Sequence, residues 1–162
     1  MSVIDESVLI NASRELVFAM SQNAAARDSW DPFTRCIDYE GGAGPHLGAV
    51  ARVLARNGLA MQVRYIKFEP PARAAIVMLQ GPAFLTSFAG SWIFESVSAR
   101  QTRVRFRYSL TAWPLLEQLC VWRYRRDVRR RLQGLQSYCD SLTTHAGSAT
   151  DPCVQPCAGE RS

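Results

Sequence analysis

Only two histidines occur among the 162 residues, His46 and His145. A histidine pair or a Ser-His-Asp relay therefore has almost nothing to build on. His46 follows Pro45 in a turn. It could serve as a general base if that loop folds over a cavity mouth, but a solvated imidazole is the commoner role. Five cysteines stand at positions 36, 120, 139, 153 and 157. Cys153 and Cys157 lack both the CxxC spacing and a second ligand pair, so no metal is expected. No Gly-x-Ser-x-Gly, Walker or dinucleotide motif appears. Gly41-Gly42-Ala43-Gly44 is followed by no helix start, so it reads as a turn and not a phosphate cradle. No cofactor is expected.

The remaining chemistry lies in arginine, tyrosine and the other aromatics. Arg64 and Gln62 alternate with Tyr65 along one strand, so they take opposite faces. If Arg64 is the inward one, it could polarise a carbonyl and stabilise an enolate. Tyr65 or Tyr108 could then donate a proton. Arg64, Tyr65 and Tyr108 are the candidates for catalysis. Trp92, Phe94, Phe106 and Tyr108 are the first candidates to line a cavity, followed by Met61, Val63 and Tyr65 on one strand face, with Trp30. Asp28 and Asp31 flank Trp30 and read as capping and turn residues.

These side chains need elements to hold them. Residues 3–10 read as a strand, and 14–22 as a short helix opened by Ser13 with Glu15 in its first turn. A second short helix covers 23–29 and stops before Asp31-Pro32. Strands follow at 36–40, 48–56, 59–69, 72–79, 88–97 and 102–111, a five- or six-stranded antiparallel meander with an Asn57-Gly58 hairpin. In the last strand, Val104, Phe106, Tyr108 and Leu110 alternate with Arg103, Arg105, Arg107 and Ser109, giving one apolar and one solvated face. A long helix runs over about 115–143, with Val121, Val128, Leu132, Leu135, Cys139 and Leu142 as its apolar stripe. Residues 1–143 read as one domain and 144–162 as a disordered tail.

An apolar sheet face must be covered, and the final helix is the only element long enough to do it. The expected class is α+β: a curved antiparallel sheet gripping one C-terminal helix, with two short helices and a cavity between the layers.

Charge is concentrated. Residues 1–99 carry 8 basic and 9 acidic groups, whereas 100–131 carry 10 arginines and 2 acids. The helix face from Arg123 to Arg131 is the densest part. It reads as a solvated face, or as a dock for an anionic membrane or an acidic partner such as an acyl carrier protein. Trp113 and Trp122 lie beside it. Nucleic acid is not expected, because a helix that covers a sheet cannot also enter a groove. The first residues lack a basic segment followed by an apolar run, and the odd cysteine count suits a reduced, cytoplasmic protein.

The chain resembles the SRPBCC superfamily (START/Bet v 1-like), and within it the polyketide cyclase/dehydrase-like branch. The likeness rests on the order of weak motifs: Val8–Met20 as opening strand and helix, Asp28-Ser29-Trp30-Asp31-Pro32, Gly48 before a long strand, Phe88–Phe94 with Thr102-Arg103-Val104 as the final hairpin, and Leu132-Gln133-Gly134-Leu135. The resemblance implies a helix-grip fold with a hydrophobic cavity. It fixes no activity, since members include cyclases, lipid carriers and quinone-binding proteins. Two readings stand open: a binding protein for a lipid, quinone or polyketide-like molecule, and a cyclase or dehydratase on the same scaffold.

Overall fold

The computed structural model describes residues 1–147, with the side chains of 145–147 left out. Seven strands form one antiparallel sheet. They are β1 (Ser2–Ile10), β2 (Thr34–Tyr39), β3 (Val50–Ala55), β4 (Ala60–Glu69), β5 (Arg73–Gln80), β6 (Leu85–Ser98) and β7 (Gln101–Ala112). Their order is β1-β7-β6-β5-β4-β3-β2, so β2 to β7 form a meander and β1 returns to pair with β7. Between β1 and β2 lie α1 (Arg14–Gln22) and α2 (Ala24–Trp30); α3 (Pro114–Gly147) follows β7. The long helix therefore extends past position 143, and the expected tail beyond Gly147 falls outside the described residues.

Local signals account for most of these boundaries. Ser13 accepts the Leu16 N–H and caps α1, while Asn23 accepts from Ala25 and Ala26 and caps α2. Gly58, at φ 86°, makes the β3–β4 turn where Asn57-Gly58 predicts it. The strand expected from Cys36 begins two residues earlier. Asp31 accepts the backbone N–H groups of Phe33 and Thr34 and the Thr34 hydroxyl, and so fixes the chain as it enters β2. The strand expected from Phe88 starts at Leu85, and β3 is shorter than 48–56.

The core lies between the inner face of the sheet and α3. Val104, Phe106, Tyr108 and Leu110 are buried, and Arg103, Arg105 and Arg107 are exposed, as alternation requires. Val128, Leu132, Leu135 and Cys139 bury the α3 stripe, whereas Leu142 emerges into solvent. Gly134 permits a close crossing of α3 over α2, because a Cβ there would collide with the Trp30 carbonyl oxygen. No helix among the described residues is long and apolar enough to cross a membrane.

Candidate functional site

Between the sheet and α3 lies a small cavity of about 50 Å³. Its walls come from β2 to β7, with Val63, Tyr65, Ile76, Trp92, Phe106 and Tyr108 among them. Trp92 and Phe106 pack with ring centroids 4.0 Å apart, and Phe106 meets Tyr108 at 4.5 Å. Gly90 lines the same wall. A Cβ there would press into the Tyr108 ring, so the missing side chain makes room for the tyrosine. A larger space of about 560 Å³ lies beside Asp38, Glu40, Arg52, Gln62 and Gln80. It opens to solvent over a polar cross-strand row, whereas the small cavity is the more enclosed and the more apolar of the two.

One end of the cavity is polar. Arg27 from α2 and Arg131 from α3 both line it, together with Gln22 at the end of α1. Asp31, only 1% exposed, sits between the guanidinium groups, 3.1 Å from Arg131 and 3.4 Å from Arg27. Arg131 also donates to the Tyr108 hydroxyl. Arg27 donates through Nε and Nη2 to the Ser21 carbonyl. Its guanidinium carbon lies 5.5 Å from the Trp30 ring centroid and 5.9 Å from that of Trp92. Tyr65 donates to Gln22 at 3.3 Å and touches the Tyr39 hydroxyl at the same distance.

The electrostatics follow from burial. Desolvation alone would raise the Asp31 carboxyl; the guanidiniums of Arg131 and Arg27, with the Phe33 N–H and the Thr34 hydroxyl, outweigh it and hold the group below the usual carboxylate range. Burial pushes the Tyr108 phenol up, so it stays protonated. Desolvation works against the Arg131 charge, but Asp31 more than restores it. The site thus presents fixed cations and neutral hydroxyls to an apolar chamber. Such groups can bind and polarise a carbonyl or hold an oxyanion.

The structure brings Tyr65, Trp92, Phe106 and Tyr108 together at the cavity. Trp30 and Phe94 are buried just behind it: Trp30 meets the edge of Trp92 at 6.3 Å, and Phe94 stacks on Trp92 at 6.1 Å. Met61 lies at the strand end beside Gly81, on the open groove. Arg64 is exposed on the outer face and cannot act as the cavity arginine. Arg27 and Arg131 occupy that place. Sequence reasoning missed both, for Arg131 looked like the end of a solvated row. The available signal was its position: Arg131 is four residues after Asp127 and three after Val128, turned toward the buried side of α3.

The expected basic face from Arg123 to Arg131 divides accordingly. Arg123 pairs with Asp127, while Arg125 and Arg129 pair with Glu6 of β1. Arg126 and Arg130 are exposed, with no ion pair among the described residues. Cys36, Cys120 and Cys139 are unpaired. His46 is in the β2–β3 connection, its ring against the Gly44 carbonyl at 3.0 Å and away from the cavity. The side chain of His145, like Cys153 and Cys157, lies outside what the structure describes. No three His, Cys, Asp or Glu residues come together as a metal set among the described residues.

Known proteins place this geometry. A solved aromatase/cyclase from Streptomyces, Zhui, superposes with a TM-score of 0.77 at 14% identity, covering 90% of this chain and 98% of that one. A START superfamily protein from Mycobacterium smegmatis gives 0.73 at 11% identity, covering 86% and 98%. The di-domain ARO/CYC BexL gives 0.73 at 20% identity, with 89% of this chain matched to 48% of that one. At such identities these likenesses show the α+β helix-grip fold. Comparison with curated proteins gives no match. The profile described as "Polyketide cyclase / dehydrase and lipid transport" matches residues 1–140, and the chain therefore belongs to that SRPBCC family.

Proposed function

We propose that the protein binds a hydrophobic, flat small molecule between the sheet and α3, with a polar end of the ligand at Arg27, Arg131 and Tyr108. The observation that carries this reading is the chamber itself, aromatic on one side and doubly cationic at one end. At about 50 Å³ the chamber holds a few waters, far less than the roughly 300–1,000 Å³ of a small-molecule site. A ligand therefore enters by displacing that content and moving wall side chains or α3 outward. Native mass spectrometry of protein purified without detergent, followed by organic extraction, tests the proposal. A bound lipid, quinone or polyketide supports it. Protein that stays empty through incubation with a panel of such molecules overturns it.

A cyclase or dehydratase reading rests on a separate observation, the Arg131–Tyr108 contact at the chamber wall. There the guanidinium would polarise a ketone, and during aldol closure the tyrosine would protonate the new alkoxide and recover a proton from the attacking enol. Turnover of a poly-keto thioester that falls on Tyr108→Phe supports this reading, and binding without turnover favours the carrier. For a partner, the exposed Leu115, Leu119 and Trp122, spaced along one α3 face beside Arg126 and Arg130, favour an anionic membrane over an acyl carrier protein. Apolar side chains of this kind insert at a lipid interface. The cytoplasmic setting expected from the sequence belongs to this proposal as well.

A further inference from the structure

Two guanidiniums share one carboxylate at the end of the chamber. Arg27 is 9% exposed, the Arg131 side chain 14%, and Asp31 lies between them. The cluster has one formal positive charge more than it has negative. Neighbouring acids offset it only in part. Asp127, one turn before Arg131, favours the Arg131 cation, but it lies among Arg123, Arg126 and Arg130 and pairs with Arg123 at 3.5 Å; Asp28 pairs with Arg56 at the surface. Burial pushes the phenols of Tyr39, Tyr108 and Tyr124 up, so none of them supplies an anion. The Ser21 carbonyl, in the last turn of α1, takes two N–H groups of Arg27 and offsets part of the charge.

The donors are not used up either. A guanidinium carries five N–H groups. Arg131 engages three nitrogens, with Asp31, Tyr108 and Thr34; Arg27 engages three, with Ser21 and Asp31. N–H groups remain on both. A buried cation excess with spare donors beside an apolar chamber is costly unless something anionic completes it. Resting on the reading of this chamber as a ligand site, we infer that its ligand carries an anionic oxygen, of the carboxylate or acidic enol class, on an otherwise apolar and planar body. The oxygen sits against Arg27 and Arg131, and the body lies along Trp92 and Phe106.

A matched pair of probes tests the inference: 2-naphthoate and 2-acetylnaphthalene, alike in shape and different in charge. Binding to the full chain is followed by isothermal titration at about pH 7. The carboxylate is expected to bind about tenfold more tightly than the ketone, as charge-assisted pairing to a guanidinium implies. Arg27→Gln is expected to bring the ratio near one, whereas Asp31→Asn, which adds to the cation excess, raises it. Arg126→Gln with Arg130→Gln leaves the ratio unchanged. Because the pairing is buried, the ratio holds between about 0.05 and 0.5 M salt.

Equal affinities in the unaltered protein overturn the charge inference while leaving the chamber standing, and need no variant to fold. A carboxylate preference that vanishes in high salt, or in the Arg126/Arg130 variant, assigns it to surface arginines and also overturns it. Binding of neither probe removes the chamber as a ligand site, and this inference with it.

Discussion

Arg130 and Arg131 are neighbours in the chain and live in opposite surroundings. Arg130 is exposed on the outer face of α3 and has no ion pair among the described residues. Arg131 turns inward to Asp31, Tyr108 and Thr34. One helical step of about 100° separates a solvated charge from a structural one. The same contrast holds for the aspartates. Asp28 pairs with Arg56 at the surface, at 2.8 Å, while Asp31 holds two arginines out of water at somewhat longer distances. A short distance is thus a poor guide to energetic weight. Solvent screens the first pair, and removing Asp31 would strand two cations in a low dielectric.

Substitution of the two aspartates should part them most. Asp31→Asn is expected to cost about 3–5 kcal/mol in urea unfolding, and Asp28→Asn about 0.5 kcal/mol or less. Similar costs would erase the distinction. The pH dependence has a definite sign. The folded Asp31 carboxyl is held below its unfolded value, so its contribution is complete above about pH 4 and is lost as pH falls toward the lowered folded value. The gap between native protein and Asp31→Asn should therefore narrow below about pH 4.

The adjacent arginines come next. Arg131→Met should cost about 2–3 kcal/mol, since Asp31 keeps Arg27 as a partner but Tyr108 loses its donor; Arg130→Met should stay within about 0.5 kcal/mol. Thermal unfolding of the two variants side by side decides this. Gly134→Ala should cost about 1–2 kcal/mol by forcing α3 away from α2, whereas Gln133→Ala on the exposed side changes little. A neutral Gly134→Ala would show that α3 shifts freely across α2.

The smallest effect on stability belongs to the outer face. Arg126→Gln with Arg130→Gln should leave unfolding unchanged and lower partition onto vesicles containing phosphatidylserine by about thirtyfold, from about 1 kcal/mol for each arginine. Equal partition of variant and native protein would leave that face merely solvated.

The alternation of β7, the Asn57-Gly58 hairpin, the Ser13 cap and the α3 stripe were all legible in the chain, because each is a local pattern with period two, 3.6 or a turn. From them came the helix-grip architecture and the aromatic wall. The polar end was not legible. Arg27 carried no signal beyond its place in the short helix at 23–29, Arg131 looked like the last of a basic run, and Asp31 like a turn residue. Asp31 does form that turn, yet it also pairs with residues 4 and 100 positions away. Arg64, on a strand, was the more visible candidate, and the register sends it outward.

By itself, then, the sequence determined the elements, their order and the faces they bury, since backbone periodicity writes these into neighbouring residues. Only the tertiary structure decided which charges face the chamber. A buried ion pair forms between groups that the chain keeps far apart, and its charge acquires its chemistry when the crossing of α2, α3 and the sheet removes the water around it.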